Sequence, residues 1–113
     1  MKYMLLICRD ESVALEADES ADMASSTQAW VTEMDGRGVR LLGNRLRRVA
    51  DATTVHVRGG ETLVADGPFA ETKEQIAGFD LIECADLDEA IEVAAKHPVA
   101  RYGTIEVRPF WEE

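Results

Sequence analysis

Two groups of residues in this sequence have types and spacings that can do chemistry. The first opens on Asp66, in Asp66-Gly67-Pro68-Phe69-Ala70-Glu71-Thr72-Lys73-Glu74, directly after the strand-like Thr62-Leu63-Val64-Ala65. A turn calls for Gly or Pro at that place, but not for an aromatic, a lysine and two glutamates as well. Asp66 ends an apolar strand face, where burial raises a carboxyl pKa and a nearby cation lowers it. As a general acid or base at a pocket mouth it would have Lys73 as electrostatic partner. As a turn former it would accept backbone hydrogen bonds and fix the Gly-Pro bend. The two roles can coexist. The second group is Arg37, Arg40, Arg45, Arg47 and Arg48, lying between Gly36 and Ala50 with no acid in the window. Those arginines are either a solvated face paired with acids elsewhere or an edge for an anion or a partner. Within the window Arg45 can orient an anionic ligand, and Asn44, just after Gly43, can supply an amide.

The two histidines have plainer readings. Thr53 to Arg58 and Glu61 to Asp66 flank Gly59-Gly60, a two-residue hairpin signal. With that loop, Arg58 faces Glu61, His56 faces Leu63 and Thr53 faces Asp66. Alternation then puts Asp66 with Val55, Val57 and Val64, while His56 shares the other face with Thr54 and Arg58. His56 and Asp66 therefore form no dyad within this hairpin. His97 precedes Pro98 at a helix end, where the dipole favours imidazolium and a capping role. Cys8 and Cys84 sit in apolar strand patterns with no metal-like spacing and read as reduced core thiols. No serine elbow, phosphate-cradling glycine loop or metal-spaced cluster is present, so neither a metal nor a cofactor is expected.

The elements that must position these groups alternate along the chain. Tyr3 to Cys8 is a continuous apolar run, which suits a strand buried on both faces. Met23, Thr27, Trp30, Val31 and Met34 form one stripe of a helix from Asp18 to Met34, stopped by Gly36-Arg37-Gly38. Val39-Arg40-Leu41-Leu42 begins a second strand, interrupted by Gly43. After the hairpin, Phe79 to Cys84 makes a strand, Asp86-Leu87-Asp88-Glu89 opens a second helix as a capping box, and Tyr102 to Val107 is the last strand. The order is β-α-β-(hairpin)-β-α-β, a ferredoxin-like α+β domain with an added hairpin over residues 1–113. Both helices must pack on one face of an antiparallel sheet, because the crossovers share a hand. The other face then stays open unless a second subunit closes it, so a homodimer is expected.

Composition narrows the function classes. At 113 residues, 46% hydrophobic and 30% charged, this is one ordinary globular domain. A net charge of −10 argues against nucleic acid or an anionic membrane as the main partner. With no signal-peptide pattern and no apolar run near a membrane span, a cytoplasmic location is expected.

Several blocks occur together and in order: Asp66 to Gln75, then Gly78-Phe79, Ala85-Asp86-Leu87-Asp88-Glu89-Ala90, Tyr102-Gly103, and Ile105-Glu106-Val107-Arg108-Pro109-Phe110. On these blocks the chain resembles the DGPF branch of the YCII-related family over nearly its whole length. The resemblance implies a dimeric α+β barrel, in which the sheets of two subunits face each other, and small-molecule lyase-, isomerase- or monooxygenase-type relatives. A His-Asp acid/base pair proposed in one branch has its histidine on the first helix. Asp18 to Met34 holds no histidine here, so that pair does not carry over. The branch also keeps company with extracytoplasmic-function sigma factors, which implies a regulatory alternative. Two expectations follow. One is a homodimer binding a small polar metabolite, with Asp66 as acid/base and Asn44, Arg45 and Lys73 as ligand groups. The other is a non-catalytic module docking on a sigma factor through the arginine-rich strand.

Overall fold

A computed structural model describes residues 1–112. The elements are β1 (Lys2–Arg9), α1 (Ala17–Gly36), β2 (Arg40–Arg45), β3 (Thr53–Arg58), β4 (Glu61–Asp66), β5 (Gln75–Glu83), α2 (Leu87–Ala95) and β6 (Thr104–Pro109). Short 3-10 turns occupy Val49–Asp51 and Pro98–Arg101. The order read from the sequence therefore holds, as an α+β chain with two helices. Four strands form one sheet in the order β2-β5-β1-β6, with every neighbouring pair antiparallel. The hairpin β3–β4 is a separate two-stranded sheet with the expected register, Arg58 opposite Glu61 and Thr53 opposite Asp66. Gly59 and Gly60 both take positive φ, the conformation this turn demands.

Strand β1 shows why the core is one-sided. Tyr3, Leu5 and Ile7 are buried beneath the helices with Trp30, Met34, Ile82, Ala90 and Val93. Met4, Leu6 and Cys8 alternate with them and are only half-buried. The expectation that this strand is buried on both faces is thus corrected, because no layer of this chain covers its second face. Pairing places Leu81 beside Met4, Phe79 beside Leu6 and Leu42 beside Leu81, so the open face is an apolar surface. Cys84 is a buried thiol as expected, whereas Cys8 belongs to the open face; both are free.

The two helices are tied by the buried Trp30 indole, whose Nε1–H donates to the Val93 carbonyl at 2.9 Å. Outside this bond, Lys96 reaches Glu33 at 2.9 Å and Arg37 grips Glu92 through two bonds of 3.0 and 2.8 Å. Such exposed pairs contribute at most about 1 kcal/mol each, so packing of Trp30 and Met34 does most of the holding. The first half of α1 joins in through one side chain. Ala17 to Ser26 offers Met23 as its one large apolar residue, and Met23 packs against the core only partly buried. α2 begins as expected, with the Asp86 carboxylate accepting from Glu89 N–H at 2.9 Å. The β3–β4 arm packs on neither helix, and it stretches the radius of gyration to 16.0 Å, against about 13 Å for a compact chain of this length.

Candidate functional site

The gap beneath the first half of α1 is a cavity of about 640 Å³. Ile7, Met23, Val31 and Val99 supply apolar wall, and Ser20, Thr27 and Gln28 supply hydroxyl and amide groups from α1. Its charged lining is Arg9, Arg40, Arg45 and Asp80, with His97 beside them. Three arginines against one aspartate leave the lining with an excess of positive charge in a chain of net charge −10.

Among the described residues Asp80 is the buried carboxylate, 6% exposed, in the middle of β5. Its seat is made by β2. Gly43 lies opposite Asp80, and a Cβ on Gly43 would fall 2.0 Å from Asp80 Oδ1 and 2.7 Å from the Phe79 carbonyl. Only glycine leaves that space. A bulge between Arg40 and Leu42 keeps Arg40 on the same face as Gly43. Arg40 then donates from Nε to Asp80 Oδ1 at 2.8 Å, from Nη2 to the Gly43 carbonyl at 3.1 Å, and from Nη1 to Asp35 Oδ1 at 3.3 Å. Three acceptors lock the guanidinium, and the guanidinium locks one oxygen of Asp80. Burial raises the Asp80 pKa above the usual carboxylate value, and Arg40 pulls it part of the way back. The second oxygen has no donor. No buried side-chain nitrogen or oxygen lacks a partner among the described residues, so Oδ2 is not sealed in, and Asp80 is part of the cavity lining.

His97 is 4% exposed and stands edge-on to Trp30, ring centroids 4.7 Å apart. It does cap, but it caps the turn that follows it, with Nδ1 accepting from Val99 N–H at 3.1 Å. The expected imidazolium is corrected to a neutral ring, since burial pushes its pKa down to about 4. A neutral ring that accepts at Nδ1 carries its hydrogen on Nε2. His97 lines the cavity, and among the described residues that N–H has no hydrogen-bond partner.

The residues singled out from the sequence divide in two. Arg45 lines this cavity, and among the described residues it is in no ion pair. Asn44 borders it too, but strand pairing sets Asn44 beside Phe79, whose alternation belongs to the open face, so its backbone is what meets the cavity. Asp66 and Lys73 are exposed and line neither cavity found beside α1. The bend after Asp66 is held without its carboxylate. Gly67 takes φ of 94°, its N–H donates to the Ala52 carbonyl at 2.8 Å, and Thr54 Oγ1 donates to the Gly67 carbonyl at 2.8 Å. Lys73 lies near Asp10, whose carboxyl is held low chiefly by Ser12 and to a lesser degree by that lysine. His56 sits opposite Leu63, apart from Asp66, as the register required.

The other arginines of the acid-free window have found acids. Arg37 pairs with Glu92, Arg40 with Asp80 and Asp35, Arg47 with Asp51, and Arg48 with Glu11 at 3.9 Å. Asp80 and Arg40 were not chosen from the sequence as site residues, although one signal was available: a lone aspartate inside the apolar run Gly78-Phe79-Asp80-Leu81-Ile82. Carboxylates almost never occupy such positions unless paired. Among the described residues no group of three His, Cys, Asp or Glu is placed to hold a metal, and no helix is long and apolar enough to cross a membrane.

Comparison with known proteins supports the resemblance at the level of the family. The YCII-related domain matches residues 1–113. An uncharacterized protein of Rhizobium meliloti (strain 1021) is 39% identical over an alignment of 126 residues, which spans 96% of this chain and 91% of the relative.

Proposed function

Since the chain belongs to the YCII-related domain family, we propose that it binds a small polar metabolite in the cavity beneath α1 and carries out acid/base chemistry of the lyase or isomerase kind there. The observation that carries this reading is the excess of arginine lining a cavity of an acidic protein, with Arg45 at its wall in no ion pair among the described residues. An anionic ligand group meets Arg45 and Arg9, while its body lies on Ile7, Met23 and Val99. Asp66 and Lys73 lie outside this cavity and would serve a ligand only where a second copy brings them to one. A thermal-shift screen against a metabolite panel tests the reading. A ligand at a hundred times its dissociation constant adds about 2.7 kcal/mol of stability. Arg45→Ala is expected to abolish the shift and Asp66→Asn to keep it. A hit that survives Arg45→Ala and is lost in Asp66→Asn would move the site to the arm.

The subunit is read as ferredoxin-like, and its open sheet face as one half of a dimeric barrel. The chain exposes 7877 Å², whereas a compact monomer of 12.5 kDa exposes about 6,200 Å². The surplus of about 1,700 Å² per chain suits the 2,000–5,000 Å² total of an obligate interface. Leu6→Asp, at the centre of the open face, is expected to yield monomers in analytical ultracentrifugation at micromolar concentration. A dimer that persists in that variant would place the interface elsewhere. The sigma-factor reading has less support, since Arg37, Arg40, Arg47 and Arg48 each have an acidic neighbour in this chain.

A further inference from the structure

We propose that the cavity is a proton-transfer site for a small carboxylate with an enolisable carbonyl, in which Asp80 moves the proton and His97 holds the carbonyl oxygen. The inference rests on the reading of this cavity as a metabolite site and assigns its chemistry. Asp80 presents one oxygen to the cavity while the other is fixed by Arg40 over Gly43. His97 presents Nε2–H, because its Nδ1 is committed to Val99. The cavity therefore offers an acceptor able to become a base and a neutral donor whose tautomer is set by the backbone. A carboxylate base acting with a neutral imidazole is a known means of moving a proton next to a carbonyl. Desolvation also makes Asp80 a stronger base than a surface aspartate once it is ionised.

The remaining lining selects the ligand. Arg9 and Arg45 fit a carboxylate, and Ile7, Met23, Val31 and Val99 fit an apolar side chain, so the class is a 2-oxo acid or a similar carbonyl acid with an apolar body. Asp80 Oδ2 takes a proton from the carbon next to the carbonyl. The C–H electron pair forms the new C=C bond, and the carbonyl π pair moves onto oxygen, where His97 Nε2–H receives it. Asp80 returns the proton to that oxygen or to carbon, giving the enol or the isomer. Nothing is oxidised and no co-reactant is consumed. Arg40 is a positioning residue, since each of its three nitrogens already donates within the chain.

Phenylpyruvate is a suitable probe, followed in deuterium oxide by the loss of its methylene proton signal in NMR. The protein is expected to speed exchange at least tenfold over buffer, and Asp80→Asn to return the rate to that of buffer. Asn keeps an acceptor for Arg40, so Asp80→Asn should still be stabilised by phenylpyruvate in a thermal shift, which also confirms that the variant is folded. His97→Gln, a second variant, is expected to slow exchange while leaving the pH profile of Asp80 in place. That profile is set by the groups facing the carboxylate, Arg40 and Asp35 on one side and Arg9, Arg45 and His97 around the cavity. Its rate rises with pH as Asp80 ionises. Exchange that is equal in wild type and Asp80→Asn would overturn the assignment while leaving metabolite binding intact. A wild type that is stabilised by other polar metabolites but not by phenylpyruvate would overturn the ligand class alone.

Discussion

Acidification should weaken this fold through one side chain, His97. The ring is buried, packs edge-on against Trp30, and accepts a backbone N–H through Nδ1. Protonation would replace that acceptor with a second donor and leave a cation in a buried site. In the unfolded chain the imidazole takes up a proton below about pH 6.5, whereas in the folded chain burial delays this to about pH 4. The unfolded state therefore binds more protons throughout that window, so stability rises with pH across it and is lost as pH falls from the upper value toward the lower. Integrating between the two pKa values gives a loss of about 2 kcal/mol from neutral pH to about pH 5. Water entering the cavity screens the charge, which sets a lower bound of about 1 kcal/mol. The assay is urea unfolding at fixed protein concentration, followed by tryptophan fluorescence, for wild type and His97→Gln. Carboxylate titrations are common to both proteins and cancel in the difference. Wild type should lose about 1 to 2 kcal/mol relative to the variant between those pH values. A difference that stays constant within about 0.3 kcal/mol would refute a buried, neutral His97.

Two further substitutions probe the packing that places the cavity. Gly43→Ala puts a methyl group 2.0 Å from Asp80 Oδ1 and 2.7 Å from a backbone carbonyl, and should destabilise by about 2–3 kcal/mol in urea melts. In an Asp80→Ala background the first clash is gone, so the same change should cost at least about 1 kcal/mol less; additive effects would deny the contact. Trp30→Phe removes the donor to the Val93 carbonyl and part of the ring volume that joins the helices, for a loss of about 2–3 kcal/mol. An unchanged urea midpoint would show that the helices are held by other contacts.

What the sequence disclosed and what it withheld follow from how local each interaction is. The Gly59-Gly60 turn fixes the register of β3 and β4 by itself, and the Asp86 cap is decided within four residues, so both were legible. The order of elements was legible because each carries its own period. Strand β1 was misread as buried on both faces, since a continuous apolar run does not say how many layers will cover it. The cavity was illegible for a different reason. Arg40 and Asp80 are 40 positions apart and meet only because β2 pairs with β5 and Gly43 falls opposite the carboxylate. Nothing near Asp80 in sequence announces its partner. Asp66 drew attention through its neighbours instead, and those neighbours form an exposed loop in which Phe69 is 86% exposed.

The uneven use of apolar residues connects these observations. A lone monomer of this size would hide Val55, Val57, Val64 and Phe69 and keep Asp80 and His97 in water, yet this chain does the reverse. Each inversion has a cost: an exposed hairpin of two strands is barely stable alone, and a buried carboxylate loses its hydration. Both persist in the fold because the helical layer is incomplete. α1 buries Trp30 and Met34 of its second half but only part of Met23 in its first, which leaves room for polar groups there, and among the described residues no layer covers the other sheet face. On the reading proposed above, the open face and the arm suit a second copy of the chain, while the space beneath α1 suits a ligand. These demands fall on opposite faces of the same four strands. Strand β5 meets both, since Phe79 and Leu81 point to the open face while Asp80 points to the cavity between them. A partner pressed on Phe79 and Leu81 would therefore stiffen the strand that holds the proton-transfer carboxylate, and assembly and ligand binding would be coupled through one residue's spacing.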